Sequence, residues 1–162
     1  MNVKEITPEV EPLTLLTGAQ FIDAYRVATN DTSLDARRAA QCMFERQPPW
    51  VEALVALRNM LVTPFGLKTS GEREPAPHGV IGLFPVLSET RDRLVAGFND
   101  SHLDFRVVVD VAPCDLGQQI TATTLVLTHN LLGRVYLATI LPFHRLIVRS
   151  LLQRAFLPSA RG

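Results

Sequence analysis

The sequence predicts an α+β domain in which short β-strands precede one long C-terminal helix. Two stretches carry this prediction. Residues 102–111, "HLDFRVVVDV", alternate apolar and polar side chains as a half-buried strand does. Residues 128–152, "THNLLGRVYLATILPFHRLIVRSLL", repeat apolar side chains at helical spacing. The 162 residues match the length of a single domain, so we expect one core.

The first predicted strand lies at residues 18–28, "GAQFIDAYRVA", which is rich in aromatic and β-branched side chains. A helix should follow it. Thr32 or Ser33 can cap its free amides, and Asp35 favours the positive end of the helix dipole. Small and apolar side chains then recur at helical spacing, which predicts a helix ending near Arg46.

A second short helix is predicted after the break "QPPW". Pro49 suits its first position, because a missing N–H costs nothing there. Its apolar stripe consists of Trp50, Leu54, Leu57 and Leu61. Residues 66–79 are rich in glycine, proline and charge, which predicts an exposed loop. Further strands are predicted at residues 80–87, 92–98, 102–111 and 119–129.

One face of the last two strands should line the core. Alternation directs one set of apolar side chains to the same face, namely Leu103, Phe105, Val107, Val109 and Val111. A hairpin turning near Asp115 and Leu116 adds Ile120, Ala122, Thr124, Val126 and Thr128 to it. The hydroxyls of Thr124 and Thr128 should then face the interior, while the opposite face is expected to be wet.

The C-terminal stretch is predicted to pack on this core and not to span a membrane. A transmembrane helix needs about 20 mostly apolar residues, whereas the longest charge-free run inside this one covers residues 135–143. At about 100° per residue, Arg134, Arg145 and Arg149 share a wet side. His144 faces inward, on the side that carries Leu137, Ile140, Ile147, Leu151 and Ala155.

Pro142 leaves two interpretations of this stretch open. An interior proline removes a backbone hydrogen bond and commonly kinks a helix. A helix that started only after Pro142 would lose its registration with Arg134. We favour one long kinked helix, because a large apolar face can offset the cost of about 3 kcal/mol.

The inward His144 also has alternative roles. As a core residue it would be neutral and hydrogen-bonded to a backbone carbonyl or a threonine hydroxyl, which is the interpretation we favour. As a functional residue it would be a polar anchor or proton donor in an apolar cavity. The hairpin could also bring His102 and His129 near Asp104, but no spaced ligand motif supports a metal site, and none is predicted.

Charge and missing motifs exclude several function classes. The net charge is zero, so nothing indicates nucleic-acid binding. No acidic residue follows Asp115, and the last 47 residues carry a charge of +5. We favour the explanation that basic side chains complement the dipole of the C-terminal helix and cover apolar surface with their stems. The alternative is a surface that binds anionic lipid or an acidic partner. The motifs GxGxxG, GxSxG and HExxH and the P-loop are missing, so no cofactor is predicted.

The N-terminus and the cysteines indicate a cytoplasmic location. Residues 1–13 alternate acids with prolines and contain no apolar signal core. Cys42 and Cys114 stand far apart without metal-binding spacing, which fits reduced thiols. We divide the chain into an extended or flexible segment 1–17, one domain 18–157 and a flexible tail 158–162.

Five quoted segments together resemble an uncharacterised bacterial family, domain of unknown function 2867. They are "FIDAYRV", "PPWVEALVALRNMLVTPFGLK", "GLFPVLSET", residues 102–111 and residues 128–152, which extend from about Phe21 to Ala155. That family resembles the START-like, or polyketide-cyclase-like, helix-grip superfamily. The resemblance implies a curved antiparallel sheet wrapped around a long C-terminal helix, with two short helices after the first strand. It also implies a cavity between the sheet and the long helix, suited to a small, mainly apolar molecule.

The family supplies no catalytic residues, so the expected lining of that cavity comes from strand and helix parity. It consists of His144, Ile140 and Leu137 from the helix and Phe105, Val107, Thr124 and Thr128 from the sheet, with Trp50 and Phe84 closing an end. Three functions stay open. The first is a module that binds a small molecule; the second is a lyase or cyclase that uses His144 as acid or base; the third is a protein-interaction or homodimerisation domain with a filled core.

Overall fold

The computed structural model describes residues 2–9, 15–45, 78–82 and 84–156, together with the helical positions 49, 52, 53 and 56. Its strands are β1 (Lys4–Ile6), β2 (Phe21–Thr29), β3 (Val80–Ile81), β4 (Phe84–Glu89), β5 (Arg93–Asn99), β6 (Leu103–Cys114) and β7 (Gly117–Thr128). Its helices are α1 (Ala36–Glu45) and α2 (Leu131–Phe156). The strands form one curved antiparallel sheet in the order β1-β2-β7-β6-β5-β4-β3, which confirms the predicted α+β class.

The central hairpin has the predicted register. β6 and β7 turn through Asp115 and Leu116, since Cys114 pairs with Gly117. Val107 lies opposite Thr124, so the alternate side chains named above share one face. That face carries the main core together with α1 and the C-terminal part of α2. The parity argument therefore placed both strands on the correct side of the sheet.

The opposite face of the sheet is not simply wet, as was expected. A second apolar cluster lies there, formed by Leu16, Val95, Val108 and Leu125, all buried. Leu15 and Ala19, which precede β2, pack against it. The prediction was wrong because a segment before the first predicted strand covers this face, and strand alternation alone does not reveal such a cover.

The N-terminal elements also differ from the prediction in detail. β1 was not predicted as a strand, and it pairs with the outer edge of β2. The cap of α1 is Asp35, whose Oδ1 accepts a hydrogen bond from the Arg38 amide at 2.7 Å. Neither Thr32 nor Ser33 is the cap. The Ser33 amide and hydroxyl instead donate to Asp31 Oδ1, at 2.7 Å each, which forms a turn ahead of the helix.

The predicted second helix falls largely outside the described residues. Positions 49, 52, 53 and 56 are helical. The apolar stripe of Trp50, Leu54, Leu57 and Leu61 is not described, and neither is most of the predicted loop at 66–79.

Helix α2 is continuous through Pro142, which confirms the preference for one long helix. It begins after Asn130, whose Oδ1 accepts a hydrogen bond from the Gly133 amide at 3.0 Å. Its C-terminal part packs tightly, because Val148, Leu151, Leu152 and Phe156 are buried. Between residues 134 and 147, by contrast, no residue is buried. The helix is thus fixed at its two ends and sits more openly over the sheet in between.

The N-terminal anchor of α2 depends on a glycine. A Cβ atom at Gly133 would lie 2.1 Å from the carbonyl oxygen of His102, in the turn between β5 and β6. The same oxygen accepts a hydrogen bond from the His129 amide at 2.9 Å, so it is held in place. Only glycine allows the helix backbone this close to the turn.

We therefore expect Gly133→Ala to destabilise the fold although alanine is the better helix former. Propensity alone would stabilise a helix by about 1 kcal/mol, but the enforced shift should cost more, for a net loss of about 1–3 kcal/mol in the free energy of unfolding. Urea denaturation measures this loss, with Arg134→Ala at the exposed neighbouring position as control. A gain in stability for Gly133→Ala would contradict the close approach.

Candidate functional site

The first half of α2 meets the sheet at a carboxylate–imidazole pair. Asp23 lies on β2, on the face that carries Tyr25 and Val27 into the core. His144 Nε2 lies 3.3 Å from Asp23 Oδ1 and 3.3 Å from Oδ2. A carboxylate oxygen accepts hydrogen bonds, so the tautomer of His144 with the proton on Nε2 is the one that donates to Asp23. The other ring nitrogen, Nδ1, has no hydrogen bond among the described residues.

The pair is buried but incompletely satisfied. The Asp23 side chain is 6% exposed and the His144 side chain 17%. The hydrogen bond goes to Oδ1, and Oδ2 has none although it lies equally close to Nε2. A buried charged group without full hydrogen bonding is costly. The structure therefore presents a carboxylate oxygen that can still accept a hydrogen bond.

The surroundings of the pair are mostly apolar. The Phe21 ring stands edge-on to the imidazole, with centroids 5.7 Å apart and planes at 87°. Thr124 on β7 lies directly across from Asp23, and Val107 on β6 lies across from Thr124. All three strands thus present this row of side chains to α2.

Tyr25 adds a second ionisable group two residues along β2. Its side chain is buried, and burial is the first cause that raises the pKa of the Tyr25 phenol. The negative charges of Asp23 and then Glu5 raise that pKa further, whereas Arg145 and Arg149 act in the opposite direction. The surroundings of Tyr25 therefore favour the neutral phenol over the phenolate.

Comparison with known proteins now gives the family. The sequence pattern of "Protein of unknown function (DUF2867)" matches residues 15–151. The chain belongs to this family. No curated protein matches the chain as a relative. Among solved structures, it is similar to a Rhodobacter sphaeroides protein determined by a structural genomics consortium, at 12% identity over 94% of each chain and a TM-score of 0.46.

Several predicted site residues of this DUF2867 chain lie around the pair. Leu137 and Ile140 are half-buried on the side of α2 that carries His144. Thr124 and Val107 are buried in the row described above. Asp23 was missed by the sequence analysis. Alternation places it on the same face of β2 as Phe21 and Tyr25, but the sequence pattern does not show which face of that strand meets α2.

The remaining predicted residues lie elsewhere or are not described. Thr128 is buried, and its hydroxyl and amide both donate to Gln20 Oε1, the amide at 3.0 Å. Phe84 and Phe105 belong to an aromatic cluster with centroids 5.0 Å apart. Among the described residues, Phe44 and Phe98 also belong to that cluster. Trp50 lies outside the described residues.

A separate cleft lies at the end of α1. Its volume is about 280 Å³, and its described lining consists of Gln41, Phe44, Glu45, Val80, Ile81 and Gly82. None of the predicted site residues belongs to this lining. The cleft is therefore distinct from the Asp23–His144 region.

The residues that the hairpin was expected to bring near one another, His102, His129 and Asp104, take part in two separate interactions. His129 Nε2 lies 3.0 Å from Asp104 Oδ1. His102 Nδ1 accepts a hydrogen bond from the side-chain amide of Asn130 at 2.8 Å, so it helps to fix the start of α2. Within the part of the chain that the structure describes, no three potential ligands converge as a metal site requires.

Titration of Tyr25 should weaken the fold at alkaline pH. A phenol whose pKa is higher in the folded than in the unfolded state stabilises the fold below the unfolded pKa of about 10. That stability is lost as pH rises through the folded pKa, because the unfolded chain releases its proton first. The free energy of unfolding of the wild type should therefore fall more steeply between about pH 9 and 11 than that of Tyr25→Phe. Urea titrations at stepped pH measure this, with Tyr136→Phe as the control, and parallel curves for wild type and Tyr25→Phe would refute it.

Removing one partner of the Asp23–His144 pair should cost more than removing both. His144→Leu leaves a buried carboxylate without a partner, for which we expect a loss of about 3–5 kcal/mol in the free energy of unfolding. The double variant Asp23→Val/His144→Leu should recover most of this loss, since apolar side chains can replace a buried polar pair at little cost. His129→Leu, at the more exposed pair with Asp104, should cost less than about 1 kcal/mol. Equal losses in the single and double variants would show that the two side chains are not coupled.

Proposed function

We propose that the protein binds a small, mainly apolar molecule between the sheet and the first half of α2, with Asp23 and His144 as its polar centre. The observation that carries this proposal is the buried Asp23 Oδ2, which has no hydrogen bond. A ligand hydroxyl or amine could donate to it. Such a pocket, with few polar groups among many apolar ones, is the usual design of small-molecule sites.

The incomplete burial of the sheet-facing side of α2 supports the proposal that the ligand binds in this region. Leu137, Ile140 and His144 face the sheet and yet keep accessible surface, whereas Val148 and Leu151, farther along the same side, are buried. A ligand beside His144 would bury the exposed apolar part of this side. The likeness to START-like, polyketide-cyclase-like proteins is part of this proposal, because their ligands occupy the corresponding space between sheet and helix. A cytoplasmic location belongs to it as well, and the free thiols of Cys42 and Cys114 are consistent with that.

A second candidate is acid–base catalysis by His144 in a lyase or cyclase reaction. The observation that favours it is the position of Asp23 at Nε2, which fixes the tautomer and leaves Nδ1 to take or give a proton. A carboxylate that orients an imidazole in this way is a common arrangement in proton transfer. Asp23 would then be a positioning residue and His144 the group that touches the substrate.

Native mass spectrometry of the purified protein tests the binding proposal. We expect a bound small molecule in the wild type and a strong reduction of that bound mass in Asp23→Asn and His144→Leu. Asp23→Asn keeps the shape of the side chain but removes its charge. His129→Leu is the matched control, because it removes a histidine from the other histidine–aspartate pair and should leave the bound mass unchanged.

The spectra separate the candidate functions. Retention of the ligand in both site variants would place binding elsewhere and contradict the proposed centre. A protein free of ligand in repeated preparations and in the presence of cell extract would favour a filled core and a role in protein interaction. A bound molecule that changes mass on prolonged incubation with wild type, but not with His144→Gln, would favour the enzyme.

A further inference from the structure

The outward side of α2 carries large apolar side chains that the rest of the described fold does not cover. Leu131 is 73% exposed and Leu146 is 59% exposed, and Val135 and Phe143 are about half exposed. At about 100° per residue, Leu131, Val135 and Leu146 lie within about 60° of one another on the helix surface. With Phe143 beside this arc, they form an apolar strip that we call the outer strip of α2: Leu131, Val135, Phe143 and Leu146.

Arginines lie along one edge of the outer strip. Arg134, Arg145 and Arg149 are exposed and occupy the adjoining arc of about 60°. Within the described residues none of the three forms a side-chain ion pair, and the helix contains no acidic residue. The exposed side of α2 therefore combines an apolar strip with three arginines that form no side-chain ion pair among the described residues.

We propose that this side of α2 docks onto an anionic membrane surface. An interfacial helix inserts its apolar side chains at the boundary of headgroups and acyl chains, while neighbouring arginines contact the headgroup phosphates. The apolar strip and the arginine row supply both contributions on one side of one helix. The partner that matches this chemistry is a bilayer rich in anionic phospholipid.

Helix α2 would lie on the bilayer and not cross it. Its most apolar 18 residues have a mean hydropathy of 1.4, and only 11% of that window is buried, so many of its apolar side chains keep exposed surface. Its ends nevertheless remain attached to the sheet, by Gly133 at the start and by Leu152 and Phe156 near the end. A helix held to a sheet along its inner side offers the membrane only its outer side.

A second copy of the chain fits this surface less well than a bilayer does. A two-fold interface brings the same surface of both subunits together. Antiparallel pairing of two α2 helices would place Arg134 of one copy near Arg145 of the other, and the helix has no acid to neutralise them. Like charges in such a contact are unfavourable.

Vesicle flotation of the full chain tests the proposal. We expect binding to vesicles of phosphatidylcholine with 30% phosphatidylglycerol, weak binding to pure phosphatidylcholine, and a decrease as salt is raised. Leu146→Glu should abolish the binding. Leu116→Glu is the matched control, because Leu116 is 55% exposed and belongs to the β6–β7 turn instead of the outer strip. Arg145→Gln and Arg149→Gln should each lower the affinity about fivefold.

The proposal fails if Leu146→Glu and Leu116→Glu bind equally, or if neither composition of vesicle binds the wild type. A dimer in light scattering that Leu146→Glu dissociates, without vesicle binding, would identify a second copy as the occupant and overturn the proposal. Val135→Glu provides an independent variant of the outer strip. Circular dichroism and the thermal midpoint of each variant establish that the fold is intact before binding is compared.

Discussion

The attachment of α2 to the sheet is the constraint on which the rest of the molecule depends. Gly133 fixes one end by close backbone approach, and the cluster around Leu152 fixes the other by apolar burial. Between them, the helix contacts the sheet through the long hydrogen bond from His144 to Asp23. The contacts at its two ends hold α2 to the sheet. The residues in the middle of the helix can therefore pack less tightly without releasing it. The fold can therefore hold a ligand beneath the middle of α2 while the helix stays attached at both ends.

This arrangement also explains why an imperfect polar pair can persist inside the fold. A buried carboxylate oxygen without a hydrogen bond works against stability. Proteins commonly retain such groups where function requires them. Tyr25 lies beside the same carboxylate, and its pKa is raised by burial and by the charge of Asp23. Asp23 and Tyr25 thus add polar groups from β2 to a sheet face that is mostly apolar.

Much of this architecture could be predicted because it follows from periodicity. Strict alternation placed Val107 and Thr124 on the core face, and a helical projection turned His144 inward. Asp23 could not be placed in the same way. Its strand has apolar side chains on both faces, since a second cluster containing Leu125 covers the outer one. Only the pairing of β2 with β7, a contact between distant segments, decides that Asp23 faces the helix. Local pattern carries no information about that pairing.

The 26 residues of α2 carry different kinds of side chain on the inner and outer sides of the helix. The inner side must accept His144 and half-covered apolar groups, and the outer side combines leucines with arginines. Single exposed leucines are ordinary, but Leu131 and Leu146 lie with Val135 on one side of the helix, and such grouped apolar exposure is typical of interaction sites. Contact with a bilayer would account for this grouping. A helix lying on lipid would also bring the Asp23–His144 region within about 10 Å of the acyl chains, since a helix with its side chains is about that thick. An apolar ligand that dissolves in the bilayer could then reach the site with little exposure to water.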